Sequence, residues 1–488
     1  MSEVARELLS SREKVVEGLC SAGFTLQDEC TLVGNLDVDG SAVEHIITVP
    51  RDFPIVMPKV STTGGEGGIS WHREATGHFC LWSADGTGDL PWLEASSIIE
   101  RVLEWHRLDK ADWPGDAPVL DLERYWPQLS DLVLYPDLGP LDRRECKVVR
   151  HERENPLLWR LEPGRPSAKN KPSRRSALVL SVGELKYPLR TLFEINELLD
   201  DQEAELLERR LTSGDLRVLV LAYTRQGRAG ALVLFVEKLE PFELSAAQSA
   251  HDGEETRRMR AGVDAEILSG KRVAVVGMGS VGSHVAEELA RSRVGGLTLV
   301  DGELLRPGNC IRHVLSHEGV GINKAEGMRT YLHRKELIDQ SNVTAMDKRL
   351  TSAAEVEALF NEHDLVIDAT GNGPASTLII TASQIMNKIA ISVCIQRGGT
   401  TLRIDRFPLK EGEAHAPIVV DGGPTAVAWE GGCGDPVSPT PPWVCSAAGA
   451  HVAGMAADLL TGRGQYPATV ILYVTAEPDT DVHVTSAT

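Results

Sequence analysis

RVAVVGMGSVGSHVAEELARSRVGGLTLVD, residues 272–301, decides the architecture of the C-terminal half of this chain. An apolar run reads as a buried strand and passes straight into Gly277, Gly279 and Gly282 in Gly-x-Gly-x-x-Gly spacing. In that spacing the first glycine permits a tight turn. The second lets backbone approach a phosphate, and the third lets the following helix pack closely. A helix follows at once, its first N–H groups free to face an anion. A second apolar strand then ends in Asp301, 19 residues after Gly282, where a carboxylate reaches ribose hydroxyls. Apolar strands alternating with helices over 247–488 predict a Rossmann-like α/β domain with a mostly parallel sheet. Taken alone, the stretch suits an NAD-dependent dehydrogenase equally well.

The continuation separates the two. It reads DGELLRPGNCIRH (301–313), GVGINKAE (319–326) and HDLVIDATGN (363–372). These segments resemble the activating-enzyme superfamily, which includes the ThiF-type sulfur-carrier adenylyltransferases and the ubiquitin-activating enzymes. The residues that carry the resemblance are Asp301, Asn309, Arg312, Lys324 and Asp368, in the family's order. The resemblance implies ATP and Mg2+ as cofactors and an acyl-adenylate as product. A substrate carboxylate attacks the α-phosphate and pyrophosphate leaves, so cations must face the growing negative charge. Arg312 and Lys324 would clamp the phosphates, Asp368 would hold the magnesium ion, and Asn309 would orient phosphate or carboxylate. Relatives add an arginine from a partner subunit ahead of the glycine turn. Arg257, Arg258 and Arg260 lie in that area, and the resemblance extends to a homodimer.

Of eight cysteines, none forms a Cys-x-x-Cys pair, so neither a zinc site nor a disulfide framework is indicated. Members of the superfamily that go beyond the adenylate place a cysteine on a late loop. Cys433 sits in GGCGDP, a Gly/Pro-rich stretch unsuited to helix or central strand, as transfer by an exposed thiol requires. Cys445 opens the small-residue helix SAAGAHVAGMAADLL, where a helix N-terminus lowers a thiol pKa. The superfamily often carries a packed cysteine at that place, and small buried cysteines are common, so Cys433 is preferred over Cys445; Cys310 and Cys394 read as core or site-lining thiols.

The N-terminal region offers another thiol. A helix near Val4–Cys20, strand-like runs TLVGNLDVDG and AVEHIITV, and a helix near Ala95–Leu108 read as α+β. RDFPIVMPKV (51–60), WHREATGHFCLW (71–82) with Cys80, and the Trp-containing helix after it resemble ubiquitin-conjugating enzymes. The family's His-Pro-Asn motif is replaced by His72-Arg-Glu, so an oxyanion-stabilising role would fall to His72 or His78, or be absent. Between the two regions, GRPSAKNKPSRR (164–175) reads as an exposed loop. The runs ALVLSV, RVLVLAY and ALVLFVEK around a helical segment read as an α/β scaffold or docking unit.

The expected layout is therefore a conjugating-like domain over 1–130, a middle domain over 131–246, and an adenylation domain over 247–488. That order resembles the bacterial fusion proteins of CBASS anti-phage operons and related ubiquitin-like operons. The resemblance implies activation of the C-terminus of a ubiquitin-like protein or of a cGAS-like nucleotidyltransferase, then conjugation to a target amine through Cys433 and Cys80. Alternatives are a sulfur-carrier-protein adenylyltransferase with an accessory domain, and a non-catalytic scaffold. A net charge of -20 argues against general nucleic-acid binding. No run of about 18 apolar residues and no signal peptide is found, which places the protein in the cytoplasm.

Overall fold

The computed structural model describes residues 3–63, 70–74, 76–82, 90–111, 113–115, 120–150, 157–165, 174–239, 242–417, 437–473 and 485–486. Contacts divide the chain into two units, Met1–Gly253 and Glu254–Thr488.

In the first unit, helix α1 (Glu3–Ser21) precedes strands β1 (Thr25–Leu26), β2 (Thr31–Val38), β3 (Ser41–Thr48) and β4 (Lys59–Thr62). They pair in chain order as an antiparallel sheet. Asp39 and Gly40, both at positive φ, make the two-residue turn between β2 and β3 that suits strand twist. Helix α2 (Ala95–Lys110) turns Ile98, Val102 and Trp105 to the core, the spacing of one helical face. There they meet Val15, Leu19, Leu32, Ile47, Val60 and Phe79. The α+β order read from the sequence is present.

The middle region is a closed barrel. Its strands are β5 (Gln128–Tyr135), β6 (Glu145–Arg150), β7 (Leu158–Pro163), β8 (Arg174–Glu184), β9 (Val218–Arg225), β10 (Arg228–Leu239) and β11 (Phe242–His251). They close in the order β10-β11-β5-β7-β6-β8-β9. Helices α3 (Leu192–Asn196) and α4 (Asp201–Thr212) lie between β8 and β9 in sequence. Val179, Val220, Val233 and Phe235 join Trp159 in one core, while the alternate residues Leu178, Leu180, Leu219, Leu221 and Leu234 pack with Ile195, Leu207 and Leu211 of the helices. Strands β8–β10 are thus buried on both faces, which is why they read as unbroken apolar runs. The α/β unit expected here takes the form of a mixed barrel with two helices, four of its ladders antiparallel and three parallel. Strand β5 spans the expected boundary at 130/131, and β11 spans that at 246/247.

The second unit begins with α5 (Glu254–Arg260) and α6 (Ala265–Leu268). It continues β12 (Arg272–Val276), α7 (Ser280–Arg291), β13 (Gly296–Val300), α8 (Lys324–Arg334), β14 (Val343–Met346), α9 (Ala353–Glu362), β15 (Leu365–Asp368), α10 (Gly373–Met386), β16 (Ala390–Gln396), β17 (Thr401–Phe407), α11 (Pro442–Thr461), β18 (Thr469–Tyr473) and β19 (Thr485–Ser486). The sheet runs β14-β13-β12-β15-β16-β17-β18-β19. It is parallel from β14 to β16 and antiparallel beyond. Helices α7 and α11 contribute to one core cluster, α9 and α10 to another. After β12 the chain builds β13 and β14 on one side, then returns to place β15 on the other. That reversal opens a crevice at the carboxyl ends of β12 and β15, where such sheets bind ligands.

Helix α11 is long and apolar enough to cross a membrane by length and composition alone. Here it is a core helix, with ten buried residues that include Asp458. Gly449 lets it sit on α7, since a Cβ there would come 2.6 Å from that of His284.

Candidate active site

The crevice is shaped by the glycine turn. Gly277 adopts φ +89°, and a Cβ would lie 2.8 Å from the Ala369 carbonyl oxygen. At Gly282 a Cβ would lie 1.7 Å from the Gly277 oxygen, so the first turn of α7 closes over the loop only without a side chain. Gly279 caps α7 and faces open space. A cavity of about 310 Å³ opens there, lined among others by Gly277, Gly279, Asp301, Lys324, Lys348, Arg349 and Thr370.

Asp301 ends β13 and is fixed by two backbone donors, Met278 N at 2.7 Å and Glu303 N at 2.8 Å. Burial pushes its carboxyl up, while the Lys324 charge and these N–H groups act the other way. Lys324 is buried at the start of α8 and gives its ammonium to Glu303 at 2.7 Å. That hydrogen bond holds the Glu303 carboxyl below its ordinary value. Asn323 caps α8 through Glu326 N and donates to the Asp301 carbonyl at 2.8 Å and to Asp347 at 2.7 Å. The Asn-x-x-Glu spacing signals the helix start; the hydrogen bond to β13 leaves no local signature.

Asp368 ends β15 in register with Val276, beside the glycine turn. It is buried and accepts from Thr370 N, from Thr370 Oγ1 at 2.7 Å and from Ser392 Oγ at 2.9 Å. A carboxylate offers about four lone-pair sites, so one remains. No group of three or more metal-binding side chains occurs among the described residues. Magnesium suits this setting, because it keeps waters and leans on phosphates with only one or two protein carboxylates.

Asn309 and Arg312 stand on the short 3-10 turn after β13 and are not among the cavity-lining residues. Asn309 Oδ1 accepts from Arg306 N at 3.0 Å, and Arg312 donates to the Ser438 carbonyl at 3.3 Å. The neighbouring His313 is buried. Its Nδ1 accepts from Leu315 N at 2.9 Å, so Nε2 carries the proton given to the Met278 carbonyl at 2.8 Å. Burial first lowers this imidazole to about 4, which keeps it neutral. His313 therefore ties the Asn309–Arg312 segment to the glycine turn. Arg257 and Arg258 are paired with Glu336 and Glu266 on the surface, and Arg260 is exposed.

The thiols divide sharply. Cys433 lies outside the described residues. Cys445 is buried, and burial raises its thiol, against the smaller lowering effects of Ser280 and Arg312. Desolvation thus opposes the lowering that a helix N-terminus gives, and the burial fits a packed cysteine. Cys394 is partly buried and likewise raised, and Cys310 gives a long contact to the Arg306 carbonyl.

In the first unit, Cys80 is partly exposed and its N–H bonds the His72 carbonyl at 2.8 Å. Burial raises the thiol, and the Arg124 guanidinium beside it acts to lower it. The His72 ring stacks on Trp113 at 3.7 Å, and His78 meets Thr76 Oγ1 at 2.7 Å. Arg124 escaped the sequence reading, because nothing in LERYW marks a residue that folds back onto Cys80.

A family model described as the ThiF family matches residues 257–419. The chain is 30% identical over 135 residues to "ATP-dependent ubiquitin transferase-like protein Cap2" of Enterobacter hormaechei, covering 28% of this chain and 22% of that protein. Its Pseudomonas aeruginosa namesake is 38% identical over 120 residues, covering 22% and 19%. "Adenylyltransferase and sulfurtransferase UBA4" of Yarrowia lipolytica is 31% identical over 124 residues, covering 25% and 30%. The chain thus spans less than a third of the length of these relatives. Among solved structures, Escherichia coli MccB is 16% identical with a TM-score of 0.37, covering 48% of this chain and 70% of that one.

Proposed function

This chain carries a ThiF-family domain, and from that premise we propose that it activates a protein C-terminus with ATP and passes the acyl group through two cysteines to an amine. One observation carries the reading. Gly277, Gly279, Asp301 and Lys324 converge on a single cavity at the switch point of the sheet, and Asp368, not itself a lining residue, pairs with Val276 and precedes the lining residues Ala369 and Thr370. ATP would lay its phosphates on the glycine turn and α7, with its ribose at Asp301. Asp368 would hold magnesium, which screens the phosphate oxygens.

The substrate carboxylate forms a bond to the α-phosphorus as the bond to pyrophosphate breaks. Lys324, already poised by Glu303, and Arg312 supply positive charge as that step develops. The Cys433 thiolate then attacks the acyl carbon and AMP leaves. Cys80 takes the acyl group by thioester exchange and yields it to a target amine. The substrate is the C-terminal tail of a ubiquitin-like protein or of a cGAS-like nucleotidyltransferase, and the Cap2 names, both "ubiquitin transferase-like", support ubiquitin-like transfer chemistry. We place the enzyme in the cytoplasm as a homodimer joined through its adenylation domains.

ATP–pyrophosphate exchange that depends on an added protein tail tests the reading, and exchange without any tail dependence sinks it. A second reading draws on the likeness to UBA4: adenylation of a sulfur carrier, with the N-terminal unit as a binding module. It predicts normal turnover after loss of Cys80.

A further inference from the structure

The loop that carries Cys80 is held by the barrel through one residue. Trp71 donates its Nε1–H to the Lys186 carbonyl, just after β8, at 3.0 Å. Its own carbonyl accepts from Tyr125 Oη at 2.8 Å and from the Arg124 guanidinium. The buried Arg225 of β9 lies 4.0 Å over its ring. From this anchor the loop doubles back. Arg73 bridges Phe79, and the Cys80 N–H reaches the His72 carbonyl. The Cys80 thiol lies within interaction range of the Arg124 guanidinium, and Arg124 stands on the short turn Leu122–Tyr125 that leads into β5. Arg124 is itself braced by Tyr125 Oη at 3.0 Å and by Asp121 at 3.8 Å. Its Nε is buried with no hydrogen-bond partner.

We propose that Arg124 is a catalytic residue of the Cys80 site, holding the thiolate and then the oxyanion of the tetrahedral adduct. The inference rests on the reading of Cys80 as an acyl carrier. In the exchange, the Cys80 proton passes to solvent and its sulfur bonds the acyl carbon. The bond from that carbon to the donor sulfur breaks, and the donor thiolate takes up a proton; nothing is oxidised or reduced. A guanidinium suits both stages, since charge-assisted donors strengthen as negative charge gathers. The barrel, through the turn that leads into it, thereby completes the thiol site of the domain before it. Glu74 and Asp121 are the acids facing the sulfur, and they oppose the cation.

The test is alkylation of Cys80 by iodoacetamide across pH in the full chain, read by mass spectrometry of its peptide, with exposed Cys20 as internal control. At pH 7.5, Arg124→Gln is expected to slow Cys80 about tenfold, with Arg124→Lys recovering much of it. Asp121→Asn should quicken it. An unchanged Cys80 profile in folded Arg124→Gln overturns the proposal. If that variant does not fold, absence of any acceleration in Asp121→Asn does so. The assay needs neither ATP nor a partner. A thiol that responds to Arg124 yet never charges with substrate would therefore sink the relay and not the placement of the cation beside the sulfur.

Discussion

Gly279 and Gly282 stand on the same turn, and a methyl group added at each should fail in a different way. At Gly282 the new carbon would fall 1.7 Å from the Gly277 oxygen, and the obstacle is backbone. Overpacking of a fixed core costs about 1–3 kcal/mol, and a backbone clash lies at or above the top of that range. For a unit of this size each kcal/mol lowers the melting temperature by about 2–4 °C. Gly282→Ala should thus melt about 6–12 °C early and lose ATP binding with its fold. At Gly279 the methyl group meets nothing within 4 Å, and φ is -78°. Lower unfolded-state entropy and a poorer helix cap oppose each other, so stability should stay within about 1 kcal/mol. The methyl group would instead occupy the phosphate face, weakening ATP by about tenfold or more, 1.4 kcal/mol. Thermal melting and ATP titration of both variants decide the matter. Unimpaired ATP affinity in Gly279→Ala would refute the placement of phosphate, and a stable Gly282→Ala would refute the turn geometry.

Asp368→Asn keeps the shape of a carboxylate that three donors already hold, so the fold should survive while tail-dependent exchange falls by about 100-fold or more. Near-normal exchange would remove Asp368 from the magnesium site. On non-reducing gels with ATP and substrate, Cys80→Ala should accumulate a dithiothreitol-sensitive thioester on Cys433, whereas Cys433→Ala should charge neither thiol. Normal charging of Cys80 in Cys433→Ala would end the two-thiol order. Burial, with His106 Nε2 2.8 Å away, lowers His45 from 6.5 to about 4. A lowered imidazole stabilises the fold above about pH 6.5, and that stability drains away as pH falls toward 4, by about 3 kcal/mol. Melting curves from pH 7 to 4 should show the loss in the first unit, and His45→Gln should flatten it.

What could be read before the fold was seen follows the range of the interactions. The β12–turn–α7–β13 unit was legible because its determinants are neighbours in sequence and each glycine has its own local reason. The barrel was not. RVLVLAY and ALVLFVEK announce strands buried on both faces, but periodicity says nothing of partners, and closure depends on β11 lying parallel to β5 from the far end of the domain. Cys445 shows a local rule meeting a tertiary one: the helix begins at Pro442, three residues before the expected start, and burial of the thiol opposes the lowering a helix N-terminus gives. Arg124 needed Trp71, Tyr125 and Arg225 to assemble before it could face Cys80.

The hydrogen bond from His313 to the Met278 carbonyl bears on timing as much as on shape. Because the segment with Asn309 and Arg312 is fastened to the glycine turn by a hydrogen bond within the protein itself, the entropy of joining them is spent during folding. Nucleotide should then associate in one kinetic phase, without a slow rearrangement after the encounter. Loosening that fastening would surface as a lag before steady exchange, even where the final affinity changed little.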